Sequence, residues 1–598
     1  MNYPKDIFAY ITQEENAYKT ENVNIFDNYS WNMAYHIQMS VSFKLGKFVV
    51  ATNDPQTKDP FRNIVLPILR LRYRAEDIDV KDIVLYVENP EKQHLSFLIK
   101  KYHDDVFTVE NDLDSFFDKA KEEKIDLGGC LVKKGQKAVP EVIHLQEIAF
   151  CDQTDIMGSP IGLRFNLSPG KLRAKAKQGW GDPKNGATIS IEDLLELSTR
   201  EKDPAGTKES QENKTPGSNI EIYVVRGTLP ESYLKDKGKE DELVDQVQIV
   251  AFYKGKKGRH GNILYRAKEV EGVYKFHNPE ELYNRALGIG GVEELADSQI
   301  WTNYAEIHKT KMLRAASKVV FQTTDESFSN RNKIKDMENL EVVVTREGTN
   351  VGQIPTGSPN IQLFTQSLVE WEAHARELGG ATDPLLGKQP PAGTPFRLQE
   401  RVVFEGKGMH EYRRGKFGKF IEEIYRDWII PHISREIVKG KEFLTSLSAD
   451  ELEFVADRIS SNRAAKAQWE SILSGKLPED YETLKKDIRD KFIAGGKDKF
   501  ISILKDELKD ANIRVKVIVA GKQKDLSVLT DKLVNVLRQY LAAPQLRQDP
   551  TANKILNKIL EASGISPVDF SLAPATPAVP ESATKPLSNL VGEKSLVA

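Results

Sequence analysis

Gly288-Ile289-Gly290-Gly291-Val292-Glu293-Glu294-Leu295-Ala296-Asp297-Ser298-Gln299 is the stretch on which the fold turns. Its glycines open a long helical segment, 292–318, in which Val292, Ala296, Ile300, Tyr304 and Ile307 share one stripe. An insertion at 319–360 follows, with one strong strand candidate, Leu340-Glu341-Val342-Val343-Val344. A second helix is predicted over 361–378. Its apolar set is Ile361, Phe364, Leu368, Trp371, Ala375 and Leu378, at steps of 3, 4, 3, 4 and 3. That rhythm belongs to a helix packed lengthwise against others. Two long helices thus carry a small β insertion between them.

Downstream, Gly379-Gly380 ends the second helix. Residues 381–395 then hold four prolines and two glycines in fifteen positions, which forbids helix or strand. A helix resumes near Phe396 and runs to Ile430, with Pro431 at a kink or stop. Gly406, Gly408, Gly415 and Gly418 within it predict bends or breaks. Residues 442–510 read as amphipathic helix and 512–519 as an alternating strand. Helices follow at 525–541 and 552–562. The tail, 572–598, is rich in Ala, Pro, Ser and Thr and reads as disordered.

Upstream, Val41-Ser42-Phe43 and Phe48-Val49-Val50 read as strand. Residues 60–74 read as helix on the spacing of Ile64, Val65, Ile68 and Leu69, and 91–120 as continuing helix. Residues 128–142 read as a hairpin. Residues 199–219 hold no large apolar residue and read as a linker. A β-rich block, 220–270, follows. Its best strands are 220–225, 247–253 and 263–267, with a turn at 255–261.

The 598 residues suggest about four domains at roughly 150 each. Hydrophobic residues make up 39% and charged residues 29%, a globular balance. With 85 basic and 88 acidic residues the net charge is -3, which excludes a generally polybasic nucleic-acid binder and an acidic disordered chaperone. The two cysteines, Cys130 and Cys151, exclude a disulfide scaffold and a cysteine-rich zinc module, and both read as buried structural thiols. Met1-Asn2-Tyr3-Pro4-Lys5-Asp6 shows no signal-peptide pattern, and no run approaches the roughly 20 apolar residues of a membrane span. A soluble protein made in the cytoplasm, with no membrane contact, is expected.

Chemistry-bearing motifs are sparse. There is no P-loop and no His-Glu-x-x-His, and no two of the ten histidines stand at i, i+4. Gly288-Ile289-Gly290-Gly291 lacks the third glycine of a dinucleotide loop and a preceding strand, so it reads as a helix-opening turn. No catalytic residue, metal ligand or cofactor is assigned. One basic cluster stands out. Arg397, Arg401, Lys407, Arg413, Arg414, Lys416 and Lys419, less Glu400, Glu405 and Glu411, give 7 − 3 = +4 over 23 residues. It reads either as a solvated helix face with local pairs or as a phosphate-contacting surface. The knot Gly255-Lys256-Lys257-Gly258-Arg259-His260 is adequately a hairpin tip.

In their order these parts resemble the portal protein of tailed double-stranded DNA bacteriophages. Portals carry a segment of the form G-x-G-x-x-E-x-L-x-x-x-Q-x-x-x-N entering the first stem helix. Gly288, Gly290, Glu293, Leu295, Gln299 and Asn303 match it. Asp383 to Gln389, continuing through Gly393-Thr394, looks like the portal tunnel loop, and 141–152 is similar to the wing element before an acidic turn. The likeness spans roughly 60–570 and rests on the order of parts and on 288–430.

The resemblance implies a mainly helical α+β multidomain fold: an α/β wing, a two-helix stem, a small β-containing clip, a kinked channel helix and a helical crown. Carried over, 1–290 is wing, 291–318 the first stem helix, 319–360 the clip and 361–380 the second stem helix. Residues 381–396 are the tunnel loop, 397–440 the channel helix, 441–571 wing and crown, and 572–598 the tail. The implied role is a ring, usually of twelve copies, at one capsid vertex, conducting DNA during packaging and ejection. Implied partners are further copies of the chain, the terminase large subunit, a head-to-tail adaptor, major capsid or scaffold protein, and double-stranded DNA held without sequence preference.

By the same resemblance, Asp383, Pro384, Leu385, Leu386, Gly387, Lys388, Gln389, Pro390 and Pro391 form the channel loop. Arg397, Arg401, Lys407, Arg413 and Arg414 are the candidate DNA-facing cations. Ile361, Phe364, Leu368 and Trp371 pack the stem, and Lys333, Lys335 and Asp336 serve docking at the clip. The expectation is a virion protein, not an enzyme. The competing readings are a metal-dependent nucleic-acid-processing enzyme built from distant carboxylates, and another virion component such as a minor capsid or scaffold protein.

Overall fold

Asp6 caps the opening helix α1 (Ile7–Thr20), its carboxylate accepting from Ala9 N at 2.7 Å. The computed structural model describes residues 3–46, 60–88, 92–158, 160–200, 219–235, 238–239, 241–255, 258–269, 272–317, 320–322, 324, 352–354, 361–381, 396–439, 449–475, 477, 480–494, 505, 513–517, 535 and 538. It is a mixed helical and sheet chain in two units. The first takes in residues 1–88, 99–437 and 511–521; the second takes in 89–98, 438–510 and 522–598. The proposed clip strand 340–344, the later C-terminal helices apart from residues 535 and 538, and the tail lie outside the described residues, as do 48–50 and most of the linker.

After α1 come a short hairpin, β1 (Val23–Phe26) and β2 (Tyr29–Trp31), and helix α2 (Met33–Leu45). Val41-Ser42-Phe43, expected as strand, therefore lies in a helix. Asn32 caps its start by accepting from Tyr35 N, and Gly46 at φ 68° ends it in the left-handed conformation. Two caps and the burial of Phe43 outweigh the β preference of Val41. Helix α3 (Val65–Ala75) buries Val65, Ile68 and Leu69 as their spacing predicts. Strand β3 (Ile83–Val87) follows.

The helix expected over 91–120 is divided. Helix α4 (Gln93–Lys101) runs into a π turn, Tyr102–Phe107, and a last turn to Asn111. Asp112, at φ 47°, breaks it before α5 (Leu113–Leu127). An aspartate tolerates that conformation because its short polar side chain bonds locally.

Strand β4 (Cys130–Lys134) and β5 (Pro140–Ile143) make the expected hairpin, with Leu131 opposite Ile143. Strand β6 (Ile148–Phe150) and β7 (Ile161–Leu167) then begin a larger sheet. Helices α6 (Pro169–Ala176) and α7 (Ile191–Arg200) follow. The β-rich block supplies β8 (Ile220–Pro230), β9 (Leu243–Gly255) and β10 (Gly258–Lys268), and the all-antiparallel order is β10-β9-β8-β7-β6. The turn between β9 and β10 is tighter than the 255–261 expected. Ile222, Tyr223, Val225, Val250, Ala251 and Leu264 are almost fully buried, packed with α1, α2 and α7 in one core. Strand β11 (Tyr274–His277) joins β4 on its other side.

Helix α8 (Gly291–Ala316) and α9 (Ile361–Leu378) match the two predicted long helices closely. Between them β12 (Val320–Gln322) pairs antiparallel with β13 (Gly352–Ile354), closing the base of the insertion. Helix α10 (Phe396–Ile424) is unbroken through all four of its glycines. The departure comes instead at a π turn, Tyr425–Ile429, directly before α11 (Ile430–Lys439). Pro431 has no N–H to offer residue 427, and a wider turn accommodates that missing bond without ending the helix. The two π turns meet: His103 Nε2 lies 2.9 Å from the Tyr425 hydroxyl.

Within the second unit the expected long helix is two, α12 (Ala449–Leu473) and α13 (Tyr481–Ala494). Gly475, at φ 71°, turns the chain between them. Lys485–Asp457 at 2.8 Å and the Arg489–Glu453 pair hold them together. Strand β14 (Ile513–Val517) belongs to the first unit, like β3, with which it pairs antiparallel, Ile513 opposite Val87 and Val517 opposite Ile83.

Candidate functional site

Helices α8 and α9 form a two-helix arm. Trp301 stacks on Trp371 at 6.1 Å and 12°, and His308 on Phe364 at 5.9 Å and 12°. Positions rising along one helix meet positions falling along the other, so the two run antiparallel. The 26 residues of α8 give a length of about 39 Å at 1.5 Å per residue.

The root of the arm explains the opening motif. Gly128, at φ 76°, ends α5, and a Cβ there would lie 2.3 Å from the carbonyl oxygen of Gly288. Gly288 N donates to Gly128 O at 3.0 Å. The glycines therefore permit two backbones to touch, and the helix-opening turn is what they make. Glu293 takes a two-pronged ion pair from Arg285, at 2.9 and 2.5 Å. Leu295 is fully buried with Val292, Val65, Leu69, Ile125 and Ala375 in a separate core at the arm's root.

Gln299 and Asn303 grip the segment before α3. The Gln299 amide accepts from Ile64 N at 2.9 Å and donates to Arg62 O at 2.7 Å. Asn303 Oδ1 accepts from Arg62 N at 3.2 Å. The Arg62 guanidinium reaches Glu372 of α9 at 2.6 Å and Glu306 of α8 at 3.8 Å, bridging both arm helices.

Beneath the root lies a buried ionic hub that the sequence did not announce. Glu76, with no exposed surface, meets Lys124 at 2.6 Å, Arg72 at 3.6 Å and His410 Nδ1 at 3.4 Å. Arg72 also pairs with Glu294 at 2.6 Å, and Glu294 with Arg413 at 2.5 Å. Burial would raise the Glu76 carboxyl, but Lys124, the His410 hydrogen bond and Arg72 outweigh it and hold it well below the ordinary carboxylate range. Burial, with Arg72 and Arg413 adding to it and Glu76 opposing, draws Lys124 below the ordinary lysine range.

His410 Nε2 lies 3.2 Å from Gly380 O, at the end of the arm. A Cβ on Gly380 (φ 66°) would come within 2.5 Å of Met409 Cε, and one on Gly379 within 2.2 Å of Ile68. Gly379-Gly380 thus ends α9 and seats it against α3 and α10. The sequence signal that could have found the hub is faint: Arg72 and Glu76 stand at i, i+4 on a helix that otherwise buries apolar residues.

The expected site residues fare differently. Ile361, Phe364, Leu368 and Trp371 all lie on α9; Leu368 is buried at 2% exposure and the other three are half-buried. Arg413 and Arg414 carry ion pairs within the chain, the latter with Asp82 at 2.6 Å. Lys416 donates to Pro279 O at 2.7 Å. Arg397, Arg401 and Lys407 lie on α10, but their side chains are outside those described. The loop Asp383 to Pro391 and the trio Lys333, Lys335 and Asp336 lie outside the described residues altogether. Both thiols are free, and burial pushes both upward. Among the described residues no group of three His, Cys, Asp or Glu could hold a metal ion, and no helix is long and apolar enough to cross a membrane.

What the arm leaves outside is its most distinctive chemistry. Ile300, Trp301 and Tyr304 on α8 are 43%, 50% and 51% exposed, and Leu363 and Val369 on α9 are 63% and 62% exposed. No protein-family model matches the chain, and no curated protein does. Among solved structures, a chain from the neck of an empty gene transfer agent particle, computed with C6 symmetry, aligns over 74% of this chain and 94% of its own. The identity is 10% and the TM-score 0.27. A chain from the virion of a native gene transfer agent particle aligns over 78% and 100%, at 8% identity and TM-score 0.28. Neither value reaches that of a shared fold, and function is argued from this chain's own residues.

Proposed function

We propose that the chain is a structural subunit of a tailed-phage head: a portal protein whose copies form a DNA-conducting ring at one capsid vertex, with no catalytic centre. The observation that carries this reading is the arm. Two antiparallel helices present aromatic and aliphatic side chains outward along their length, where a monomer in water would keep polar ones. A second copy is the occupant that fits, because Ile300, Trp301 and Tyr304 lie side by side on one face of α8 and the chain's own fold leaves about half of each uncovered. The root is braced by Arg62, Gln299, Asn303 and the Glu76 hub, as a lever carrying load between subunits requires.

In this reading 319–360 is the clip that docks the terminase large subunit and then a head-to-tail adaptor, with Lys333, Lys335 and Asp336 at the contact. Residues 381–396 constrict the channel as the tunnel loop. The near-balanced charge suits a conduit that must release DNA as it moves, since each phosphate held by a cation strengthens binding. Capsid or scaffold protein surrounds the ring.

Electron microscopy of the purified protein tests it. Rings with a central hole about as wide as a DNA duplex, ~20 Å (cf. groove dimensions), are expected. Monodisperse monomers under all conditions, or closed shells, would overturn it.

A further inference from the structure

We infer that the edge of the five-stranded sheet carries a second basic surface, on α6 and the loop after it, that binds the phosphate backbone of duplex DNA. This goes beyond the ring reading and needs no ring. Residues 169–186 hold Lys171, Arg173, Lys175, Lys177 and Lys184 against Asp182; with the adjoining helix α7 to Arg200, which adds Glu192, Asp193, Glu196 and Arg200, the balance is 6 − 4 = +2 over 32 positions. The 397–419 cluster spends at least Arg413 and Arg414 on internal pairs. Here the cations stay outside. Helix α6 turns Leu172 into the core and leaves Lys171 and Lys177 exposed, with Lys184 exposed on the next turn. Among the described residues no carboxylate pairs with any of these three.

The surface is built, not loose. Gly179 and Gly181, at φ 85° and 76°, bend the chain on both sides of Trp180. Gly181 N donates to Leu264 O at 2.8 Å and Thr188 N to Ile263 O at 2.9 Å, which pins the loop to edge strand β10. Asn185 Nδ2 donates to Gly179 O at 2.9 Å, and Asp182 accepts from Lys184 N at 2.9 Å. Lys175 lies 5.7 Å over the Trp180 ring. Arg173 is held by Glu192 through two bonds, at 2.9 and 3.0 Å. Three exposed ammonium groups without a carboxylate partner among the described residues, on a frame pinned to β10, offer a polyanion three positive contacts.

Sequence-independent backbone binding has a salt signature. Three phosphate contacts give a slope near -2.7 in log K against log salt, so affinity falls roughly 40-fold from 50 to 200 mM salt. The test is anisotropy of a short labelled duplex with the full chain and with Lys171→Gln/Lys177→Gln/Lys184→Gln. A variant with Arg397, Arg401 and Lys407 changed to Gln runs alongside it, so that channel binding and surface binding are told apart. The expected result is at least tenfold weaker binding and a shallower slope for the first variant, in ring-free and assembled fractions alike. Unaltered thermal unfolding of that variant confirms that only the surface changed. No duplex binding at 50 mM salt, or full affinity in the first variant, would overturn the inference. So would equal competition by polyglutamate, which would assign the surface to an acidic protein.

Discussion

Gln299 accepts a hydrogen bond from the backbone N–H of Ile64 at 2.9 Å, across 235 positions of sequence. The same amide donates to Arg62 O at 2.7 Å. One side chain therefore seats the first arm helix on the start of α3. Replacing it by Ala leaves a buried donor and a carbonyl unpaired, each costing about 1–3 kcal/mol. Gln299→Ala is expected to lose about 2–4 kcal/mol in urea unfolding. Gln299→Glu, which sets a carboxylate oxygen against Arg62 O at a fully buried site, should lose at least as much.

Glu76 is the anion of a fully buried hub, facing Lys124, Arg72 and His410. Glu76→Gln strands Lys124 without its partner and should cost about 3–5 kcal/mol. Glu76→Met with Lys124→Met removes both charges and should restore most of the loss. Chemical denaturation of the three proteins measures it. Equal stability of the single and double variants would show the pair does not couple.

Stability should fall on mild acidification. Burial, then Lys124 and Lys416, push His277 down to about 3 from its ordinary 6.5. A group with a depressed folded-state pKa binds its proton more readily when unfolded. Its contribution is therefore whole above about pH 6.5 and lost as pH falls toward 3, on the order of a few kcal/mol. Glu76, also depressed, adds a loss that begins as pH falls into the ordinary carboxylate range and continues below it. His277→Phe, beside Phe417 and Phe420, should flatten the profile between pH 6.5 and 5 in thermal melts.

Gly128→Ala places a Cβ 2.3 Å from Gly288 O at a φ of 76°. The strain of a left-handed non-glycine residue is of order 1–3 kcal/mol, and here a backbone must also move. A Tm drop of several degrees is expected, whereas Gly408→Ala, with open space around it, should hold or raise Tm.

Trp301 and Tyr304 are half exposed in one chain. Trp301→Ser with Tyr304→Ser loses the Trp301–Trp371 and Tyr304–His308 ring contacts and should cost the monomer about 1–3 kcal/mol without unfolding it. Sedimentation should nevertheless show assembly weakened at least tenfold. Assembly at full strength would place the copy-to-copy contact elsewhere.

Much of the frame was legible because local rules governed it. The 3-4 rhythm from Ile361 to Leu378 marked α9 at both ends, and the Val/Ile/Tyr-rich runs marked β8, β9 and β10. Where reading failed, a cap or a remote partner decided. Val41 to Phe43 joined a helix because Asn32 and Gly46 close it at either end. The glycines of α10 did not break it, and Pro431 spread its strain into the π turn before it. Of the expected site, Ile361 to Trp371 lie on the arm. Arg413 and Arg414, equally basic on paper, turn inward to Glu294 and Asp82.

By itself the sequence determined the two arm helices, the antiparallel strands after residue 220, the glycine turn at 288–291 and the overall charge balance. Each depends on periodicity or conformational preference within a dozen residues. Only the tertiary structure decided that Gln299 holds Ile64, that Glu76 gathers Lys124, Arg72 and His410, that β14 pairs with β3, and that Trp301 and Tyr304 stay outside. A charge or an aromatic ring has no sidedness in a linear chain. Whether it is paired, buried or presented depends on which distant backbone folds against it.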